Sequence, residues 1–600
     1  MALTCTVMSR RCRTEMEYFY DVECFRYDSL VVMKDIGNSI VGVWWSSPPG
    51  DFPEDSPNGF EGIRGFIQGH TLIGYNNHHY DDLMLSAMMS GQPQHRLKKL
   101  NDDILADADV STWKRKAADL KTLDTMQQID VSVPSLKQIE GNLGRSIVET
   151  SIPFDIDRPL TDAERQEVLN YCSYDVENTI AIYKLRQANY FQVKDALVGM
   201  LPSRSRLRNP AKLNTTTLAA DILLDKPLPK WAKLRLPDAV LNAPGIPQSA
   251  WDMWRSQERT STKEAEDKLI TVQRFGCDVT FSSGGLHGVA TKGKEFREVF
   301  LLDVGSMYPS IIVNLNALGD GTETYNQIRQ ERLKIKKTDP IRADALKLVL
   351  NSVYGNLKNK YSILYNPLAS LSVCVYGQVA LFDLSRRLAE VGYTPINLNT
   401  DGVAFADYRG IGLDPMQEVQ QEWEETFHLY LELDRFSRWI QKDVNNYVAV
   451  GDDGHIKTKG GECNKYAKDK LFSNNNCRIV HMALVDYLLK DIPVYKTVMA
   501  HLDDPKLYQY ILKAGRTYQG VVDENGTQYN KVNRVFAVKE GVQSTRLFKL
   551  RADGGLVNFP DMPDRMMVWN EEVSDIPDFR AVCDISHYCA VTEKKLEGWR

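Results

Sequence analysis

Along the chain the spacing of hydrophobic and polar positions changes several times, and each change predicts an element. The run EYFYDVECF is dense in aromatic and β-branched residues and reads as a strand. Asp21 and Glu23 flank Val22 in that run, so both acids point to one face. In LTDAERQEVLNYCSYDVENTIAIYKLRQ the period becomes helical: Val168, Leu169, Tyr171, Cys172 and Val176 recur at helix spacing. Thr161, with Glu164 three residues on, supplies a capping box at its start. Tyr171 and Asp175, four apart, share a face of this helix. Strands and helices alternate to about Asn189, an α/β pattern. The proline-rich, basic stretch from Pro202 to Pro247 reads as connecting structure rather than core. Near Val299 a buried strand begins in REVFLLDVGSMYPS, followed by two helices about a turn at Thr338-Asp339-Pro340, then by a strand-turn-strand at INLNTDGVAFAD. From about Asn476, helix mixes with β-like segments such as VNRVFAV, and no repeat, heptad run or low-complexity segment interrupts the chain.

Composition bounds this picture. At 600 residues the chain is too long for one core, and roughly two to four domains are expected. With 43% hydrophobic and 25% charged residues it is ordinary for a soluble globular protein. No run approaches the ~20 consecutive apolar residues of a membrane helix, so no membrane association is expected. Residues 1–15, MALTCTVMSRRCRTE, lack the apolar core and cleavage site of a signal peptide. They read as a loose tail, or as a start placed ahead of Met16. Ten cysteines without a CxxC pair argue against a zinc ribbon and for reduced thiols in a cytoplasm. Cys583, His587 and Cys589 come nearest to a metal cluster, but lack the fourth ligand of a structural site. The net charge of −6 weighs against nucleic acid as a partner only globally, because a nucleic-acid channel needs local positive potential. Lys and Arg do cluster at Arg329 to Lys337, Lys358 to Lys360, Lys457 to Lys459 and Arg546 to Arg551, each cluster being either a solvated face or a phosphate track.

Candidate chemistry sits where acids interrupt apolar runs. Asp303 ends an apolar strand, a costly position unless the carboxylate is paired or binds metal. Asp401 likewise lies between apolar segments in NLNTDGVAF. Alone, each is a turn or strand-end residue. Together, on adjacent strands, they suit two Mg²⁺ ions roughly 3.5–4 Å apart, as nucleotidyl transfer requires. Between them, Arg332 and Lys336 share a helical face, as do Lys347, Asn351 and Tyr354, with Gly355 behind. Three cations and an amide on one side suit a triphosphate, although a solvated basic face accounts for the charges alone. In the first half, Asp21, Glu23, Asp81 of YNNHHYDD and Asp175 are a set able to bind two metals, with Tyr171 placed to orient an attacking water. His78 and His79 read as surface loop residues rather than ligands, given the oxygen preference of Mg²⁺.

With these residues in view, the chain resembles family B DNA polymerases, and most nearly the small bacteriophage type. DVGSMYPS is similar to motif A, KLVLNSVYG to motif B and NTDG to motif C, in the family's order. The first half resembles the DEDDy 3′→5′ exonucleases from about Glu17 to Gln187. The fold implied is a multidomain α/β and α+β chain, an RNase H-like exonuclease followed by a right-hand polymerase. By position this gives a tail (1–15), an exonuclease domain (16–190) and a connecting segment with the start of the palm (191–290). Palm with motif A (291–320), fingers with motif B (321–360), palm with motif C (361–480), and thumb and C-terminal region (481–600) follow. The resemblance makes Asp303 and Asp401 metal ligands, helped by the carbonyl of Val304, with two Mg²⁺ per site and Mn²⁺ as a substitute. Tyr308 becomes a steric gate against a 2′-hydroxyl; Arg332, Lys336 and Lys347 hold the incoming dNTP; Asn351, Tyr354 and Gly355 border the nascent base pair. Asn77 and Tyr80 are expected to grip a frayed primer end, and Ser135 and Leu136 to bind the single strand.

Several positions depart from the pattern. Asn399 stands where motif C usually has an acid, and Gly402 where a serine usually follows the catalytic Asp. Ser282-Ser283-Gly284-Gly285 replaces the Tyr-x-Gly-Gly link, leaving Gly284 and Gly285 to approach DNA. The Lys-x-Tyr motif is altered to Asn445-Asn446-Tyr447, where Tyr447 is still expected to contact the primer strand, and Lys457 and Lys459 following are expected to supply the missing charge as DNA contacts. The spans from Asp303 to Lys347 and from Asn351 to Asp401 leave little room for the insertions of protein-primed phage polymerases. A nucleic-acid primer is therefore expected, with primer-template DNA and dNTPs as partners of a monomer. Replicative helicase, clamp, primase or single-strand-binding protein would assist it in phage genome replication in a host cytoplasm. The rivals are a nuclease whose second half only binds DNA, motivated by Asn399, and a non-enzymatic DNA-binding protein.

Overall fold

The aromatic run near the start of the chain does form a strand. It lies at the centre of a sheet in a computed structural model that describes residues 16–46, 59–130, 132–258, 267–463, 471 and 477–600. The expected N-terminal tail, residues 1–15, lies outside the described residues. The chain divides into two units, one running to Val198 and including Arg206–Asn214, the other comprising Gly199–Ser205 and Thr215–Arg600. The first unit thus ends beyond residue 190 and takes back a short returning segment.

In the first unit, β1 (Glu17–Cys24), β2 (Ser29–Lys34), β3 (Ile40–Trp45), β4 (Thr71–Gly74) and β5 (Thr122–Asp124) pair in the order β3-β2-β1-β4-β5. β1 to β3 are an antiparallel meander, whereas β1, β4 and β5 run parallel. Three helices matter for the acids: α1 (Asp81–Met88), α2 (Leu136–Leu143) and α3 (Asp162–Arg186), the last opened by the expected capping box of Thr161 and Glu164. Phe19, Val32 and Ile73 of the sheet pack with Val168, Cys172, Val176 and Ile180 of α3. Each such apolar side chain stabilises by roughly 1.5–3 kcal/mol on burial, which holds the acid-bearing face of β1 against α3 despite the carboxylates. Asp28 and Arg165 add a buried ion pair beneath α3, and Asp28 also accepts from the Leu160 N–H at 2.8 Å.

The second unit is built on nine strands. They are β6 (Ile270–Arg274), β7 (Cys277–Phe281), β8 (Leu286–Ala290), β9 (Glu295–Val304), β10 (Thr394–Asn399), β11 (Gly402–Ala406), β12 (Leu431–Asp443), β13 (Asn446–Gly451) and β14 (Ile456–Lys459). Their order is β14-β13-β12-β9-β11-β10-β8-β7-β6, every pairing antiparallel. The stretch read as connecting structure contains α4 (Thr215–Leu223), whose Leu218 and Ala219 are fully buried and which packs on a later helix. The flanking prolines hid a short helical period, so this part of the chain is core rather than linker. α5 (Met307–Asn314) follows β9; α6 (Thr322–Ile335) and α7 (Pro340–Lys358) form a helical hairpin about the expected turn. α8 (Pro367–Val391) is long and apolar enough to cross a membrane by length and composition, yet it is a core helix that packs on β8, β10 and β11 and against α5 and α7. α9 (Asp414–Phe427) also packs on α8. Beyond residue 477, α10 (Arg478–Lys490), two small sheets that include VNRVFA at Val532–Ala537, and α11 (Ile585–Leu596) share a core with Tyr508, Phe536 and Tyr588. All the described cysteines are free. His587 pairs with the Tyr510 hydroxyl at 2.9 Å, and burial pushes the Cys583 thiol up to about 12.

Two candidate carboxylate centres

β9 delivers Asp303 at its C-terminal end, between Gly402 of β11 on one side and Glu432 of β12 on the other. β10 and β11 are joined by Thr400 and Asp401 alone, with Thr400 in the left-handed region (φ 56°) as so tight a hairpin requires. The Val304 N–H donates to the Asp401 carbonyl at 2.7 Å, so Asp303 and Asp401 meet across the hairpin. Gly402 is explained by this approach: a Cβ there would lie 2.7 Å from Asp303 Oδ1 and drive the carboxylate aside. Burial first and the charge of Asp401 second raise the Asp303 carboxyl to about 6. Partial desolvation also raises Asp401, against the pull of Lys459 and Lys457. Asn399 is buried and donates its side-chain N–H to the Val444 carbonyl at 2.8 Å. A carboxylate cannot make that bond, which is why an amide stands there.

The same sheet face continues through Glu432, Asp434, Tyr447, Lys457 and Lys459. Glu432, Asp434 and Lys457 all act on Asp303, and Lys457 pairs with Asp434 at 3.5 Å. Lys457 and Lys459 therefore act on the carboxylates of the centre, with Lys459 exposed. Tyr447 differs: its ring is only 5% exposed and stacks on Trp439 at 4.2 Å, so it braces the face instead of extending from it.

Above Asp303, Tyr308 of α5 stacks on Tyr354 of α7, their ring centroids 4.3 Å apart and 17° from parallel. The Tyr308 hydroxyl donates to the Gly284 carbonyl at 3.2 Å, and Lys358 Nζ donates to the Ser283 carbonyl at 3.2 Å. Gln378 of α8 clamps the same loop twice, accepting from the Ser282 N–H at 3.1 Å and donating to its carbonyl at 2.9 Å. Gly285 (φ 147°) lies against Thr400, where a Cβ would meet the threonine side chain at 3.2 Å. The Ser282–Gly285 loop is thereby tied to α5, α7, α8 and the Asp401 hairpin at once. Lys347 and Asn351 share the α7 face that carries Tyr354 and are exposed, as is Gly355; on α6, Arg332 is half-buried and Lys336 lies just past its end. Arg342 and Glu331 close the hairpin at 2.7 Å, while Arg332, Lys336 and Lys347 have no ion pair among the described residues.

In the first unit, ligand atoms of Asp21, Glu23 and Cys172 all lie within 4.8 Å of one another. Asp81, the first residue of α1, accepts from the Val22 N–H at 3.1 Å. Asp175 of α3 pairs with Lys137 Nζ at 2.5 Å, and Lys137 also bonds Glu140 at 3.2 Å and lies 4.8 Å from the centre of the Tyr171 ring. Asp21, Glu23, Asp81, Asp175 and Tyr171 are thus brought together. Burial raises the Asp21 carboxyl to about 7, with Asp175 adding to it, and burial with mutual repulsion raises Glu23 and Asp81 as well. Ser135 caps α2 and Leu136 begins it, both half-buried. Two expectations need correcting. Asn77 is 0% exposed and donates to the buried Asp82 at 3.0 Å, so it braces the acid loop and has no surface with which to grip a strand. His78 is half-buried rather than fully on the surface, and burial of its ring drives its pKa down to about 4, while His79 is exposed. Tyr80 is half-buried, its hydroxyl held by Asn101 at 2.7 Å.

No family model and no curated protein matches the chain. Among solved structures it is similar to the family B DNA polymerase from the hyperthermophilic archaeon Pyrobaculum calidifontis, with 13% identity, 98% of this chain and 78% of that chain covered, and a TM-score of 0.42. A likeness of that degree decides nothing here; the residues carry the case.

Both centres fit divalent ions on their own chemistry. Carboxylates of like charge, forced together and raised in pKa by burial and one another, are stabilised by a hard cation bound among them. Sequence reasoning missed Lys137, Glu140 and Cys172 in the first centre and Glu432, Asp434 and Gln378 in the second. The alternation Leu431-Glu432-Leu433-Asp434 did signal two acids on one strand face. Nothing in the sequence signals that Lys137 meets Asp175 or that Gln378 meets Ser282, because both contacts are long-range.

Proposed function

We propose that the chain is a DNA-dependent DNA polymerase of the family B type with a 3′→5′ proofreading exonuclease. The observation that carries this reading is the meeting of Asp303 and Asp401 across a two-residue hairpin, beside the Tyr308–Tyr354 stack. In this reading the nine-stranded sheet is the palm, the α6–α7 hairpin the fingers, and the residues beyond 480 the thumb. The first unit, with its acids on the central strand of a mixed sheet, is the RNase H-like exonuclease.

Bound Mg²⁺, or Mn²⁺ in its place, would supply Lewis-acid activation and charge neutralisation at each centre. Asp303 and Asp401, with the Val304 carbonyl, would hold the ions of the second centre; Asp21, Glu23, Asp81 and Asp175 those of the first. The chain's own work is positioning and electrostatics. Arg332, Lys336 and Lys347 hold the triphosphate, the two lysines exposed and none of the three in an ion pair among the described residues. The Tyr308 ring, fixed by its stack on Tyr354 and its bond to Gly284, leaves no room for a 2′-hydroxyl and so selects dNTPs. Asn351 and Gly355 border the nascent pair. Lys457 and Lys459 contact the DNA backbone, with Gly284 exposed at the loop for a close approach. In the first unit, Tyr171 orients the attacking water and Ser135 and Leu136 border the strand. The span between motifs A and B supports a nucleic-acid primer, and the resemblance to the phage type supports replication of a phage genome.

Extension of a primed template with dNTPs and Mg²⁺ tests the reading. The wild-type chain should extend it, and should degrade single strands when dNTPs are withheld. A chain that degrades but never extends would leave the nuclease reading in its place, and one that only binds would leave the non-enzymatic reading.

A further inference from the structure

Within the second unit, two segments far apart in sequence meet on a surface that the polymerase reading leaves unused. Residues 226–235, DKPLPKWAKLR from Asp225 onward, run beside the turn after α7, residues 359–366. The Leu228 N–H donates to the Ile363 carbonyl at 2.8 Å, and the Asn366 side chain donates to the Ala232 carbonyl at 3.1 Å. Trp231 meets Tyr365 edge-on, with ring centroids 6.4 Å apart. Two aromatic rings are left in the open on these joined segments: Trp231 is 45% exposed and Tyr361 is 86% exposed. Trp231 also sits in the left-handed region (φ 64°), an uncommon and strained conformation for so bulky a side chain. Strain of this kind persists only where the surroundings impose it, and it gathers at binding sites.

Several charges of the first segment are neutralised, Lys226 lying 4.0 Å from Asp320 and Lys233 pairing with Glu258 at 2.7 Å, but the lysines next to the two open rings are not. Lys230 is exposed and makes no ion pair among the described residues, and Lys360 lies 5.0 Å from the centre of the Tyr361 ring with no acid partner among them. Lys358, at the end of α7, bonds the Ser283 carbonyl of the loop that holds Tyr308, so the patch adjoins the Asp303 centre. Solvent-exposed aromatic faces interleaved with unpaired lysines are what single-stranded nucleic acid binds: bases stack on the rings while phosphates meet the cations.

We propose that Trp231 and Tyr361, flanked by Lys230 and Lys360, form a platform for unpaired template nucleotides ahead of the polymerase centre. This rests on the proposed polymerase function for its location, but single-strand binding itself does not.

The test is a fluorescence-anisotropy titration of the full chain with labelled oligothymidylate and with primer-templates whose 5′ template overhang is either one nucleotide or ~10 nucleotides, within the span of known single-strand sites. The wild type should bind the long overhang more tightly than the short one. Tyr361→Ala, which alters only an exposed ring, should weaken long-overhang and oligothymidylate binding about tenfold, and Trp231→Ala with Tyr361→Ala should remove the overhang effect, with short-overhang affinity unchanged. Lys230→Ala with Lys360→Ala should reduce the salt dependence of long-overhang binding. Wild-type binding that ignores overhang length, or an overhang effect undiminished by Tyr361→Ala, would overturn the platform. A chain that extends no primer yet binds oligothymidylate in a Tyr361-dependent way would support the platform as a single-strand site while removing the polymerase reading.

Discussion

The two carboxylate centres are built from the same residue type in opposite surroundings. In the first unit four acids are packed between β1, α1 and α3 with Lys137 and Cys172 among them, and burial dominates their protonation. In the second, Asp303 is half-buried and Asp401 stands at an exposed hairpin tip, with Lys457, Lys459, Glu432 and Asp434 spread across the open face beside them. An enclosed centre suits a narrow substrate threaded into it, such as a frayed single strand. An open face with cations along one edge suits a broad one, such as a duplex. The same chemical demand, carboxylates held close enough to share cations, is met by helix packing in one place and by strand register in the other.

The comparison breaks first if the centres are not independent. Asp401→Ala should lower primer extension by roughly 10³-fold or more while single-strand degradation persists, and Asp21→Ala should do the reverse. Loss of both activities in either variant would mean one shared site. Next in size is a stability effect confined to one unit. Asp28→Ala removes the buried carboxylate that Arg165 of α3 pairs with and should destabilise the first unit by about 3–5 kcal/mol. Calorimetry should then show an early transition, with extension retained below it; a single unshifted transition would contradict the packing described.

Strand register can be probed at Gly402. Gly402→Ser places an atom on Asp303 Oδ1 and should cut extension about 10²-fold, the scale of a displacement near 1 Å, without touching degradation. Protonation separates the centres more gently. A carboxyl raised from 3.8 to about 7, as at Asp21, binds its proton more firmly in the folded chain, so the metal-free protein should lose stability as pH rises from about 4 to about 7. Asp303, raised to about 6, should contribute over a shorter window. Added Mg²⁺ should reverse the trend, and Asp21→Asn should flatten it more than Asp303→Asn does, as read from Tm against pH. The smallest effect expected is that of Tyr308→Phe, which keeps the ring and loses one hydrogen bond to Gly284. At about 1 kcal/mol this should relax selection of dNTP over rNTP roughly fivefold, with kcat for dNTP nearly unchanged.

How much of this was legible depended on sequence range. Asp21 with Glu23, Tyr171 with Asp175, and Lys347 with Asn351 and Tyr354 were readable because strand and helix periods fix faces locally. The capping box at Thr161 was readable for the same reason. That Asp401 sits in a tight hairpin was readable because the turn between Asn399 and Gly402 is local, whereas its meeting with Asp303, far away in sequence, was expected only from the chemistry of nucleotidyl transfer and the resemblance. Burial was not. Asn77, Tyr447 and His78 are polar or amphipathic residues in loop-like or edge contexts, and only the packing of distant segments shows that the first two are enclosed and the third half-buried. The Pro202–Pro247 stretch misled in the other direction, since its composition masked a helix that the rest of the unit buries.

The Ser282–Gly285 loop has a consequence for how such a chain can change. It has almost no side-chain bulk of its own, yet α5, α7, α8 and the Asp401 hairpin all fasten to its backbone. Substitutions that reshape sugar preference by moving this loop would therefore shift several partners together, and drift at any one of them is constrained by the others. Laboratory selection for altered nucleotides should accordingly recover paired changes, one in the loop and one at Gln378 or Lys358, more often than single ones.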